Sequence, residues 1–403
     1  MPTNPFNKNE PRYFYGLVAA GMLVVLLGLF AAHMMEEHGH VITGMNNQIV
    51  WGLPHVFAIF MIVAASGVLN VASIGSVFGK TAYKARAPLS SLLSIALLAG
   101  GLAVLMLDLG RPDRVIVAAT NYNTTSVFAW NVLLYSGLFA LAALYLWAMM
   151  EQRMNRWSKP VGFIVFGWRI ILTTGTGLIF AFLVARQAYA SALLPPMFIV
   201  MSFAWGLAVF HVVQSALYAW NGMTLDPAIL KRMKNLLGIF VLGTLYMVAA
   251  YHLTNLYFAK QAGFERFILS DGGIYPWMFW GGYVLLGSLL PLLLIFLPNL
   301  GKSSASEKTG SAVAASLLVI LGSFALLYVF IIGGQAYPLS IFPGYETTSS
   351  FGDGQIANYT PSLPELLLGC GGLAIAFLIT TIGVRVLNSL PHDIPDRRKQ
   401  EAG

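Results

Sequence analysis

Ten stretches of about twenty apolar residues constrain this chain more than any other feature. They lie at about 12–33, 51–78, 88–108, 126–150, 160–186, 196–220, 235–259, 276–298, 311–334 and 363–387. A helix needs roughly 20 apolar residues, rising about 1.5 Å each, to cross the hydrocarbon core of a bilayer. Strands of an outer-membrane barrel would be about half as long and would alternate in polarity. Only 10% of the residues are charged, against roughly 25% in a soluble domain. The expected fold is therefore an all-α polytopic membrane protein of about ten transmembrane helices, in a single membrane domain spanning residues 1–403. The first stretch exceeds a signal-peptide h-region and has no small-residue cleavage site after it, so it is expected to be retained.

The net charge of +7 would suggest a nucleic-acid partner in a soluble protein, but here the basic residues sort by membrane side. If the amino terminus is placed inside, the inner segments hold Lys8, Arg12, Lys80, Lys84, Arg86, Arg153, Arg156, Lys159, Lys231, Arg232, Lys234, Lys302, Lys308, Arg385, Arg397, Arg398 and Lys399. The outer segments hold only Arg111, Arg114, Arg186, Lys260 and Arg266, and Arg169 lies within a stretch. By the positive-inside rule both termini face the cytoplasm, and the chain sits in the cytoplasmic (inner) membrane. The positive charge is topology, with the lipid bilayer as the partner and no nucleic acid. Cys370 is the sole cysteine. No intrachain disulfide, no cysteine-held iron–sulfur cluster and no Cys-x-x-Cys-His haem attachment can be built. If the protein handles electrons, a partner or a diffusible carrier brings them.

The polar residues that interrupt this pattern cluster on the outer side. The third stretch ends in Asp108-Leu-Gly-Arg111-Pro-Asp-Arg114. Gly110 and Pro112 turn the chain there, and Arg111, one turn beyond Asp108, can pair with it. Ionisable groups at the edge of a membrane helix are costly and often functional; a satisfied helix stop is the bland alternative. The second stretch opens Trp51-Gly-Leu-Pro54-His55, with an interfacial tryptophan and a proline in the first turn. The fourth follows Ser126, a good cap, with Trp130 and Asn131 close behind. Three successive helices thus bring His55, Asp108, Arg111 and Asn131 to similar depth. Arg169 lies roughly 13 Å into the fifth stretch, near the midplane, where Thr173, Thr174 or backbone carbonyls can solvate it. His211 and Gln214 share a face of the sixth stretch, toward the inner side, and His252 lies near the outer end of the seventh. The loop His33 to His40 carries three histidines and two carboxylates; a hydrated acidic loop outweighs a zinc site there. Stretches two to five and six to nine are compatible with two tandem four-helix bundles, with two flanking helices.

The run Trp51–His55, the small residues Ala64 to Gly67 and Asp108-Leu-Gly-Arg111-Pro together resemble the NrfD/PsrC family of polysulfide-reductase-like membrane subunits. Within it, Gly44–His55 is most similar to the DsrP branch. The resemblance implies a quinone-reactive subunit of a respiratory or sulfur-metabolism complex that carries no metal of its own. It implies a quinone (menaquinone or ubiquinone) pocket near the outer surface, beside a periplasmic ferredoxin-like iron–sulfur subunit, with further DsrMKJO-like membrane-complex partners. His55 matches the family's helix histidine, and Asp108 to Pro112 line or support the pocket. The family tyrosine of the fifth helix has no counterpart around Thr174–Gly177, where Thr174 or Tyr135 would have to substitute. On this reading His55 hydrogen-bonds one quinone carbonyl and exchanges a proton near neutral pH. Asp108 passes protons outward or holds Arg111, Asn131 meets the second carbonyl, and Trp51 and Trp130 wall the ring.

Two rival functions use the same residues. A secondary transporter would employ the buried Arg169, His211 and His252, although the polar cluster lies at the rim rather than the midplane. A haem b protein would need two histidines at matching depth, and His55 and His252 qualify. Proton translocation through Arg169, His211, Gln214 and His252 would add to a quinone role.

Overall fold

The computed structural model describes residues 11–223, 225–297, 305–339, 354–387 and 389–390. The basic tail Arg397–Lys399, Lys8, Lys302 and most of the loop between Gln335 and Leu363 lie outside them. Among the described residues, ten helices are long and apolar enough to span a bilayer: α1 Pro11–His38, α2 Leu53–Ser76, α3 Ala87–Leu107, α4 Val127–Met150, α5 Ser158–Ala181, α6 Leu194–Trp220, α7 Pro227–Tyr257, α8 Ile274–Phe296, α9 Thr309–Ala336 and α10 Leu363–Leu387. All the described regular structure is helical. The chain is a multi-pass membrane protein. Each helix falls within a few residues of its apolar stretch, except that α1 continues through the expected outer loop to His38 and α7 begins at Pro227. In the extended α1, His33 and Glu37 pair one turn apart at 3.4 Å.

Helices α2 to α5 close one four-helix bundle, with α2 against α3 and α5 and with α4 between them. Helices α6 to α9 close a second. α1 and α10 pack on each other, and α10 leans on α2 and α3. The bundles meet where α6 lies against α2 and α5. α2 is therefore enclosed on every side, which is why its sequence is apolar all round rather than along one stripe. Lipid tails offer no hydrophobic driving force between helices, so close packing and interhelical hydrogen bonds must hold them. Gly67 of α2 and Gly206 of α6 let two backbones touch: a Cβ at Gly67 would fall 1.6 Å from the Ser202 carbonyl oxygen. Ser90 and Ser94 of α3 donate to the Val68 and Ala65 carbonyls of α2, each at 2.8 Å.

Arg169 is fully buried at the junction of α2, α5 and α6. Its guanidinium donates to Asn70 Oδ1 at 2.6 Å and to the Ser66 carbonyl at 3.1 Å, and it rests over the rings of Phe166 and Phe203. Of the threonines expected to solvate it, Thr173 instead bonds the Arg169 carbonyl and Ser66, and Thr174 bonds the Ile170 carbonyl. The arginine ties α5 to α2 through neutral acceptors and reaches α6 through the Phe203 ring.

Candidate functional site

Pro54 lies in the first turn of α2, where its missing N–H costs little, and His55 follows it on the face toward the end of α3. The His55 Nδ1 stands 2.7 Å from Asp108 Oδ2. Asp108 ends α3, and its carboxylate is almost wholly buried, while 15% of the imidazole side chain remains open. His40, from the turn after α1, brings Nε2 to 3.0 Å of the Asp108 carbonyl oxygen and 3.9 Å of Oδ1. Trp51 stacks on the His55 ring with centroids 5.9 Å apart and 27° between planes. Phe180 of α5 meets Trp51 edge-on at 5.5 Å, and Phe128 of α4 stands at 6.4 Å. The two stand at ion-pair distance without the angle of a good hydrogen bond, and with Nδ1 facing the carboxylate, Nε2 is the imidazole nitrogen left for a ligand. A carboxylate behind an imidazole fixes which nitrogen carries the proton and how the ring points.

A second layer fixes Trp51. Gln335, at the end of α9, is fully buried and uses all four of its hydrogen-bonding positions. Its Oε1 accepts from the Val50 and Trp51 backbone N–H groups, both at 3.0 Å. Its Nε2 donates to the Trp51 and Ile331 carbonyls, both at 2.9 Å. Arg186 donates to the Gln335 and Gln48 carbonyls at 2.9 and 2.7 Å, and burial lowers its pKa below the ordinary guanidinium value. Ser362 and Glu365 form a capping box at the start of α10. Glu365 also accepts from the Gly44 N–H at 3.0 Å and from the Tyr359 hydroxyl at 2.6 Å, while that hydroxyl accepts from the Leu53 N–H at 2.7 Å. Burial and the neighbouring Glu365 hold the Tyr359 hydroxyl well above the usual phenol range, so it stays a donor. The first turn of α2 is thus gripped from α9 and α10.

Replacing Gln335 by leucine leaves the Val50 and Trp51 backbone groups without partners, at roughly 1–3 kcal/mol for each buried one. At the quinone site that the family resemblance implies at His55, binding of an analogue is expected to weaken about tenfold, a loss of ~1.4 kcal/mol. Gln335→Glu, which keeps the acceptor, should lose less. Titrating both variants checks the order.

The other sequence candidates fall elsewhere. Arg111 does not pair with Asp108. It is exposed and holds Asp113 through two 3.2 Å contacts, and that bond keeps the Asp113 carboxyl below its usual range. α3 stops at Leu107, and Arg111 has left the helical range with φ −143° and ψ 70°, so no helical register carries it back to the carboxylate. Trp130 is 51% exposed and donates to the Thr124 carbonyl at 2.7 Å. Asn131 is buried, with its amide nitrogen spent on the Val127 and Gly175 carbonyls at 2.9 and 3.1 Å. Tyr135 hydroxyl and Thr176 Oγ1 lie 3.3 Å apart. His211 meets Ser316 at 3.1 Å in the second bundle, and buried Gln214 lies three residues on. His252 Nδ1 lies 2.6 Å from Glu265 Oε2. Arg169, His211 and His252 each have their own partners. A run of ring contacts, Trp51 to Phe180 to Phe330 to Tyr251, connects His55 with His252. An enclosed cavity also exists, but it adjoins His252 rather than His55.

The profile of the polysulphide reductase NrfD family matches residues 41–338, a span that holds His55, Asp108 and Gln335. The chain belongs to the NrfD family. It is 28% identical to the Hdr-like menaquinol oxidoreductase integral membrane subunit of Archaeoglobus fulgidus, over 94% of each chain. It is 29% identical to a putative dimethyl sulfoxide reductase membrane protein of Halobacterium salinarum, over 92% of this chain and 90% of that one. To the protein NrfD of Escherichia coli it is 23% identical, over 70% of this chain and 95% of that one. Sequence reasoning on this NrfD-family chain missed Gln335 and Glu365. Both are polar residues at the ends of apolar stretches on the His55 side, and that position was the available signal. It also read His40 as part of a hydrated loop.

Proposed function

We propose that this chain is the quinone-interacting membrane subunit of a multi-subunit oxidoreductase, passing electrons between the membrane quinone pool and an iron–sulfur partner docked at the His55 end. The observation that carries it is the His55–Asp108 contact at 2.7 Å beneath the stacked Trp51. A quinol gives up two electrons and two protons, so its site needs a proton acceptor, a flat apolar wall and a route to water. His55 Nε2 supplies the acceptor, Asp108 holds the opposite nitrogen, Trp51 supplies the wall, and His40 lies between the carboxylate and the more exposed turn after α1. The Archaeoglobus relative is named for menaquinol, which makes a naphthoquinone the first ligand to try. The charge asymmetry supports a cytoplasmic position for both termini, and with it a periplasmic position for the His55 end and its partner. The DsrMKJO-like assembly and a sulfur compound as terminal substrate belong to this same proposal.

The test is binding of a naphthoquinone analogue to the purified chain, followed by fluorescence quenching. Saturable binding that weakens at least tenfold in His55→Ala, with the fold intact, is the expected result. Binding that the substitution leaves unchanged would move the site elsewhere. Transport of a solute by the isolated chain in liposomes would favour a carrier instead.

A further inference from the structure

Among the described residues, π-helical turns occur in three places: Phe267–Asp271, Trp277–Leu289 within α8, and Tyr328–Gly333 within α9. Such turns are rare and concentrate at functional sites. All three belong to the second bundle, and all three meet at His252. Ile268, from the first, and Val329 and Phe330, from the third, line the enclosed cavity together with His252. Phe279, from the second, stands edge-on to the imidazole at 4.7 Å.

The chemistry at that cavity repeats the chemistry of the first bundle. His252 Nδ1 is held at 2.6 Å by Glu265, whose residue is fully buried. Asn255 donates to the other carboxylate oxygen at 2.8 Å, which fixes the carboxylate in turn. The commitment of Nδ1 leaves Nε2 as the ring nitrogen for the cavity. The remaining walls, Met197, Met201, Val248 and Phe264 among them, are apolar, and the Tyr251 hydroxyl is spent on the Ala188 carbonyl. An apolar pocket with one oriented imidazole suits a flat apolar ring that bears an oxygen. As it stands, the cavity has room for little more than a water. A ring must therefore part the walls, and Met197 and Met201, flexible side chains, lie opposite the π-helical turn at Val329 and Phe330. Leu253 and Trp277, on the helices beside it, are 67% and 78% exposed, so the outer faces of those helices are open to lipid.

We propose that the His252–Glu265 cavity is a second binding site for the headgroup of an isoprenoid quinone or quinol, with His252 Nε2 meeting a ring oxygen. The inference rests on the quinone reading of the first site, and one experiment separates the two. Binding of 2,3-dimethyl-1,4-naphthoquinone to the full chain in lipid nanodiscs is measured by equilibrium dialysis in the wild type, His55→Gln, His252→Gln and Met201→Phe. Met201→Phe fills the cavity while leaving the histidine–carboxylate pair intact. Two equivalents in the wild type and one in each variant are expected. Two equivalents that survive both His252→Gln and Met201→Phe overturn the second site. A single equivalent lost only in His55→Gln overturns it too and leaves the first site standing. A single equivalent lost in His252→Gln and Met201→Phe keeps the second site and overturns the first, and no binding overturns both.

Discussion

Asp108→Asn in the assembled complex is expected to slow quinol-dependent electron delivery roughly 100-fold, within the range that a positioned proton acceptor supplies. An asparagine fits the same space, so the fold should persist. What changes is the proton on the imidazole. The carboxylate faces His55 Nδ1 across the 2.7 Å ion-pair contact, and an ionised carboxylate has no hydrogen to give, so it favours the proton on Nδ1 and leaves Nε2 to take one. An amide can donate to Nδ1 and thereby reverse the ring, leaving Nε2 already protonated. Binding of the analogue should fall less than the rate, because stacking on Trp51 is untouched. A rate loss matched by an equal loss of binding would assign Asp108 to packing alone. Asp108→Glu should retain part of the activity, since it keeps the charge but displaces it by a methylene.

That prediction rests on a pair the sequence did not disclose. The ten spans were legible because a bilayer demands long apolar runs and tolerates few charges, and the depth of His55 and Asp108 followed from counting residues along those spans. Their mutual contact did not follow, since periodicity says nothing of which way two helices turn. Proximity along the chain favoured Arg111 as the partner of Asp108. The break after Leu107 and the rigid Pro112 turned that arginine to Asp113 instead. Asn131 was placed at the right depth, yet its amide nitrogen closes a helix–helix contact with Gly175. Gln335 was the hardest to foresee. Its bonds to Val50 and Trp51 cross 285 and 284 residues of sequence, and only the docking of the second bundle on the first creates them. The residues that touch the proposed ligand come from the first bundle, whereas the backbone around Trp51 is held by residues of α9 and α10 and the turn before α10.

Gly67→Ala is expected to destabilise the chain by about 3 kcal/mol or more, at or above the upper end of the usual cost of overpacking. The added methyl would lie 1.6 Å from the Ser202 carbonyl oxygen and 2.5 Å from its carbon. Both are backbone atoms of α6, so no side chain can swing aside. Gly206 faces the same seam from the other helix, and a methyl there meets the Gly67 backbone at 2.2 Å. The only relief is to separate α2 from α6, which opens the contact between the bundles and loosens the helix that carries His55. Ser66 and Asn70 on that helix hold Arg169, so separation would also strip partners from a buried cation, a loss that costs several kcal/mol in its own right. Gly167→Ala is the control: that position has open space around it, and alanine is the better helix former. Thermal unfolding of detergent-solubilised protein, followed by size-exclusion chromatography, reads the difference. A melting temperature for Gly67→Ala equal to that of Gly167→Ala would mean that the two backbones stand further apart than this packing requires.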